Sequence, residues 1–245
     1  MRYRPLLLAL ALALPACAHD EAPSGSESLD ASAASPGAGG GRCAPGIHEL
    51  AVGVGHKAKM RVTPGPGNAR RALILVLHGA GGQSNDGLYA FRGAWNIPRL
   101  VLVAPSSRGS TWSFLLGSDV DRATVDRSLQ RALARCRAER TRIAIGGFSD
   151  GATYALSLGL DNGRLFSAIM ALSPGGVLTS NPVGKPRIFI AHGTKDNVLP
   201  FSRTRDDLVP ELRAAGYQVT LHTFVGGHKA PEPVSRAAVR WFLEP

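Results

Sequence analysis

Gly147-Phe148-Ser149-Asp150-Gly151 stands between an apolar run, Arg142-Ile143-Ala144-Ile145-Gly146, and a second apolar segment at 152–158. The first run is short and continuously apolar, as a buried strand is; the second has the length and composition of a helix. A G-x-S-x-G pentapeptide between strand and helix places its serine on a sharp turn. Glycines on both sides permit a turn too tight for Cβ atoms. The hydroxyl is then thrust out beyond the strand, and the following helix aims its N-terminal amides and positive dipole end at the same point. The pentapeptide is common by chance, so its weight comes from these surroundings.

Outward from the elbow, apolar runs recur at 72–77, 100–104, 168–173, 187–191 and 218–224. Several are apolar throughout rather than alternating, which predicts parallel strands covered on both faces. Helical patterns fall between them at 87–96, 119–137, 150–160, 202–215 and 232–243, and Gly216 stands where a C-terminal cap belongs. Strands alternating with helices predict an α/β fold, a doubly wound and mostly parallel sheet with helices on both faces. Residues 47–52 and 59–62, joined by Gly53-Val54-Gly55, read as an antiparallel hairpin at its edge. No internal repeat is present.

In such sheets ligands bind beyond the carboxyl ends of the strands. Polar and glycine-rich loops occupy those ends: His78-Gly79-Ala80-Gly81-Gly82, then 105–112 with Trp112, the elbow, His192-Gly193-Thr194-Lys195-Asp196, and Gly226-Gly227-His228. Ser149, Asp196 and His228 therefore fall on one edge. A serine hydroxyl must pass its proton to a base as it attacks. Histidine suits that role because its pKa lies near the working pH, and a carboxylate orients the imidazole. Asp161, Asp206 and Asp207 sit in or at the ends of helical segments, and His222 within a strand pattern, so Asp196 and His228 lead. His78 and His192 read as loop supports.

The order nucleophile, acid, histidine resembles the α/β-hydrolase superfamily. His192-Gly-Thr-Lys-Asp196-Asn-Val-Leu-Pro200 is similar to its H-G-x-x-D-x-x-x-P acid loop, and Gly226-Gly-His228 to its G-x-H turn. The resemblance spans about 73–243 and is nearest to small secreted serine esterases of the polyhydroxybutyrate depolymerase-like and phospholipase/carboxylesterase groups. It implies a catalytic domain without a cap, and an oxyanion hole formed by the backbone N–H groups of Ala80 and Asp150. Gly79 and Gly81 would let the backbone approach substrate; Trp112 and Phe114, which follow the strand at 100–104, read either as one wall of a substrate pocket or as ordinary core packing. Asp150 departs from the more usual neutral residue, so its carboxylate should point away from the reacting centre. Residues 173–185 are too few for a helical cap, which leaves the site open to short acyl esters or the ends of acylated polymers. A peptidase of the same fold, or a non-catalytic envelope-binding module, would be the alternatives.

The chain begins differently. Arg2 and Arg4 precede an apolar stretch at 6–14 and small residues, which reads as an export signal over 1–16. Its apolar core is shorter than the roughly 20 residues of a membrane span. Leu14-Pro15-Ala16-Cys17 resembles a lipobox, with Cys17 lipidated; Ala16-Cys17-Ala18 also fits a cleavage site that frees a soluble protein. The first reading is preferred because residues 17–42, rich in Ala, Ser, Gly and Pro, form a tether-like linker without apolar periodicity. The expected location is an outer-membrane or periplasmic lipoprotein, otherwise a secreted soluble protein. Cys43 and Cys136 then remain, and in an exported chain two cysteines most simply pair; buried free thiols are the alternative.

Residues 43–245 form one expected domain. The chain carries a net charge of +10; the leader contributes +2 and residues 17–42 contribute −3, so the domain carries +11. Its arginines are scattered and recur at helical spacing within 119–140, as on a solvated helix face. Export argues against nucleic acid; contact with an anionic envelope or attraction of acidic substrates fits the charge weakly. The glycine-rich loop at 78–82 lacks the Gly-Lys-Ser/Thr ending of a phosphate loop. No Cys/His cluster has metal-ligand spacing, so neither metal nor cofactor is expected. Oligomeric state is left open.

Overall fold

A computed structural model describes residues 43–66, 69–179 and 181–244. The leader at 1–16, the linker at 17–42 and the processing site at Cys17 lie outside the described residues.

Eight strands form one sheet. β1 (Gly46–Gly53) and β2 (His56–Val62) make the expected hairpin, and β2 pairs antiparallel with β4 (Leu100–Pro105). From there the sheet is parallel: β4, β3 (Arg71–Leu77), β5 (Ala138–Phe148), β6 (Ala168–Leu172), β7 (Arg187–Gly193) and β8 (Val219–Phe224) lie side by side. The order β1-β2-β4-β3-β5-β6-β7-β8 places β3, β5, β6 and β7 inside the sheet. Where both faces are covered, along 72–77, 143–146, 168–172 and 188–191, their sequences are apolar.

The period of two is visible in β3. Leu73, Leu75 and Leu77 join one core cluster, while Ala72, Ile74 and Val76 join the other. Over the first face lie α2 (Arg122–Arg135) and α3 (Asp150–Asp161), with Val125, Leu129, Ala155 and Leu158 buried. Over the second lie α1 (Ser84–Ala90) and α5 (Glu232–Leu243), with Leu88, Val234, Ala238 and Phe242 buried. The helical pattern at 202–215 resolves into a π-helical turn, Arg203–Leu208, running into α4 (Val209–Ala214). Gly216 follows with φ +82, the left-handed cap its position predicted.

Two elements differ from expectation. The helix placed at 87–96 starts earlier, where Gln83 and Asp86 form a capping box, and it breaks at Phe91 into a 3-10 turn, Arg92–Ala94. The strand placed at 142–146 begins already at Ala138. Cys136 ends α2 in an extended conformation, and the chain turns directly into β5, whose polar start 138–142 is part-exposed. Cys43 and Cys136 are joined by a disulfide, which pins the chain entering β1 to the end of α2. Two arginines of α2 also reach β1 rather than solvent alone: Arg127 donates to the Val52 carbonyl at 3.3 Å, and Arg135 contacts His48 Nδ1 at 3.0 Å.

Candidate active site

At the junction of β5 and α3, Ser149 has φ +56 and ψ −122, a conformation that L side chains seldom adopt. The surrounding packing holds it there. A Cβ on Gly147 would stand 2.2 Å from the Gly151 carbonyl oxygen, and one on Gly151 would stand 2.4 Å from the carbonyl oxygens of Leu77 and His78. Only glycine fits either place, so the strand, the turn and the helix close on one another. The Ser149 amide donates to the Leu172 carbonyl at 3.0 Å, which ties the elbow to the end of β6.

The loops after β7 and β8 are joined in the same way. The Thr194 amide donates to Phe224 O and the Lys195 amide to Gly226 O, both at 2.9 Å. A Cβ on Gly193 would meet the Gly226 carbonyl oxygen at 2.4 Å. That contact carries Asp196 and His228 to Ser149. His228 Nδ1 lies 2.7 Å from Asp196 Oδ2, and His228 Nε2 lies 2.8 Å from Ser149 Oγ. The carboxylate can only accept, so the proton resides on Nδ1, and Nε2 is left to accept from the serine hydroxyl.

Asp196 is held by more than His228. Its Oδ1 accepts the amides of Val198 at 3.0 Å and Leu199 at 2.9 Å. His192 Nε2 lies 3.2 Å from Oδ2 and 2.8 Å from the Leu199 carbonyl oxygen, while His192 Nδ1 faces the Thr204 hydroxyl at 2.9 Å. Both partners of Nε2 are acceptors, so it carries the proton. Burial alone would push the Asp196 carboxyl upward; the hydrogen bonds from His228, Leu199 and Val198 outweigh it and hold the group below the usual carboxylate range. Burial lowers the pKa of His192 and keeps it neutral.

Across the cleft, His78-Gly79-Ala80 turns under a second neutral histidine. His78 Nε2 accepts the Ser107 amide at 3.0 Å, so Nδ1 carries the proton and donates to the Gly79 carbonyl at 2.7 Å. Burial again lowers its pKa. The Ala80 amide meets no acceptor among the described residues, and the Asp150 amide, first in α3, is one of the orphan donors of a helix start. The Asp150 carboxylate accepts the Thr111 hydroxyl at 2.6 Å. Gly79 packs against Ser149, with its Cβ position 3.2 Å from the Ser149 Cβ, whereas Gly81 takes φ +72 over open space.

Trp112 is a correction. It is fully buried, its ring tilted against those of His78 at 4.6 Å and Tyr154 at 5.4 Å, and its Nε1 donates to the His78 carbonyl at 2.8 Å. It braces the 78–82 loop from behind and cannot wall a substrate pocket. Phe114 stacks on Tyr154 at 5.3 Å and is only part-buried. The buried contacts of His192 and Thr204 behind Asp196 are what residue-by-residue reading missed. The one available signal was the His192-Gly193-x-x-Asp196 spacing.

A family model described as phospholipase/carboxylesterase matches residues 121–244, half of the chain. The chain belongs to the phospholipase/carboxylesterase family. As a member of that family it is a hydrolase acting on esters, with the α/β-hydrolase fold. The match contains Ser149, Asp196 and His228, whereas the 78–82 loop and Trp112 lie ahead of it. Solved structures of this fold include esterase PE8, at 23% identity and TM-score 0.63 over 75% of this chain and 96% of that one. A phospholipase/carboxylesterase from Dyadobacter fermentans aligns at 21% identity and TM-score 0.60 over 76% of this chain and 96% of its own. A fluorophosphonate-binding serine hydrolase of Staphylococcus aureus, FphF, aligns at 13% identity and TM-score 0.62 over 82% and 100%. Among curated proteins the sequence has no match.

Proposed function

We propose that this phospholipase/carboxylesterase cleaves carboxylic esters through an acyl-enzyme on Ser149. The observation that carries the reading is the continuous relay from Ser149 Oγ through His228 to Asp196, at 2.8 and 2.7 Å. Ser149 Oγ attacks the acyl carbon and its proton passes to His228 Nε2. The carbonyl oxygen, now negative, is received by the amides of Ala80 and Asp150. Collapse of the intermediate breaks the bond to the alcohol, which leaves with the proton from Nε2. Water then attacks the acyl carbon, giving a proton to Nε2, and Ser149 departs with that proton as the carboxylic acid is released. Asp196 stays ionised throughout and stabilises the imidazolium.

Among the described residues 173–185 contain no helix, which supports an open cleft and short acyl groups or chain ends as substrates. Residues 1–42 support export, with Cys17 as a lipid anchor.

The test is covalent. A fluorophosphonate should label folded wild-type protein on Ser149 and fail on Ser149→Ala, and turnover of p-nitrophenyl esters should fall by about 10³-fold or more with that change. Labelling elsewhere, or none, refutes the assignment. Peptide amides assayed beside the esters distinguish a peptidase.

A further inference from the structure

We propose that the cleft next to Ser149 holds a subsite for a short apolar chain ending in a carboxylate, with Arg203 as the partner of that anion. This deepens the ester-hydrolase reading and rests on it.

A cavity of about 150 Å³ opens between the loop after β6 and the acid loop, lined by Pro174, Gly175, Val198, Leu199, Pro200 and Arg203. Both walls are hydrogen-bonded to the catalytic constellation. The Gly175 amide donates to Thr153 Oγ1 at 2.9 Å, and the Thr153 amide donates to the Ser149 carbonyl at 3.1 Å. The Leu199 amide holds Asp196 Oδ1. One wall is thus two hydrogen bonds from Ser149 and the other is one from Asp196, which makes the hollow a candidate for the part of an ester that extends past Ser149.

Size and lining select what enters. A cavity of this volume accommodates about six non-hydrogen atoms, the size of benzene, so a short chain fills it and a longer one would run out into solvent. Four of the six lining residues are proline, valine or leucine, yet one wall ends in a guanidinium. The Arg203 guanidinium has no hydrogen-bond or ion-pair partner among the described residues, whereas that of its neighbour Arg205 is taken by Asp206 at 2.6 Å. Nor is Arg203 placed by chance. Its amide donates to Pro200 O at 3.1 Å, and the next residue, Thr204, is buried against His192, which in turn contacts Asp196. It opens the π-helical turn, a rare conformation that recurs at functional sites. A guanidinium offers a carboxylate two parallel donors. The net charge of +10 draws anions toward the molecule in general; Arg203 would give that attraction an address.

The test compares charged with neutral esters of similar length, following acid release at constant pH. Monomethyl glutarate against methyl pentanoate places the anion on the acyl side; 4-butyryloxybutanoate against butyl butyrate places it on the alcohol side. In one pair the charged ester should win by roughly tenfold or more in kcat/KM, and that pair identifies the side. Arg203→Met should bring the ratio close to one, and Arg203→Lys should retain part of it. A wild-type ratio near one in both pairs overturns the proposal. So does a preference that survives Arg203→Met and fades with salt, since that belongs to the overall charge. If no ester is cleaved, the hydrolase reading fails separately, and glutarate titrated by calorimetry decides the subsite: binding lost in Arg203→Met sustains it, and no binding or unchanged binding overturns it.

Discussion

Asp196 receives four hydrogen-bond donors, and only the one from His228 belongs to the proton relay. Two backbone amides fix Oδ1. The fourth donor, His192 Nε2–H, fixes Oδ2 from behind and is itself oriented by Thr204. A carboxylate with three such supports cannot rotate as His228 becomes charged, and this keeps the imidazole aimed at Ser149. His192 is thus a positioning residue. His192→Leu should lower kcat by about tenfold, the worth of one hydrogen bond to a charged group, with little change in KM. His192→Gln, which keeps a donor, should recover part of that loss, whereas a merely structural cavity would not distinguish the two. Chemistry-bearing residues were legible one by one because each stands just past a strand. Their supports were not: Trp112 looks like a pocket wall in the sequence, and only its burial behind His78 shows that its indole holds a backbone carbonyl.

At the scale of elements, apolar runs gave the parallel strands to within a few residues, because a strand covered on both faces has few ways to be polar. What was hidden lay at boundaries set by contacts distant in sequence. β5 starts four residues before its apolar run because the chain turns at Cys136, and the first helix starts where a capping box, not an apolar repeat, determines it. The Cys43–Cys136 bridge links residues 93 apart. A closed loop of that length removes enough freedom from the unfolded chain to contribute about 2–5 kcal/mol. Cys43→Ser with Cys136→Ser should therefore lower the free energy of unfolding by that amount in urea titrations. The relay should remain, since neither cysteine approaches Ser149, so fluorophosphonate labelling of the folded variant is the control. Equal stability of the two forms would mean that the β1 entry is anchored by packing alone.

The whole molecule brings its five loops to one sheet edge, and two of them are organised by neutral buried histidines. That arrangement predicts how the fold responds to acid. His78 and His192 both have pKa values pushed below the ordinary histidine value by burial, so an unfolded chain binds a proton near pH 6.5 that the native chain still refuses. The unfolded state then holds more protons, and stability falls as pH drops below about 6.5, toward a limit of roughly 1.4 kcal/mol per pH unit for each histidine. Asp196 has the same sign, but its window lies lower: with the native carboxyl depressed, its contribution is lost only as pH falls below about 4. Asp119 runs the other way: burial raises its pKa, so the native state takes up its proton at a higher pH than the unfolded chain does, above about 4. From pH 7 down to 5 the two histidines titrate in the unfolded chain and set the expected loss. Urea midpoints should fall steadily over that range in the wild type, and the fall should flatten in a His78→Gln, His192→Gln double variant. Protonation would also put a donor on His78 Nε2 opposite the Ser107 amide, so the 78–82 loop should open before the sheet does, and fluorophosphonate labelling should decline at a higher pH than global unfolding. Coincident loss of labelling and structure would mean that the loop has no acid response of its own.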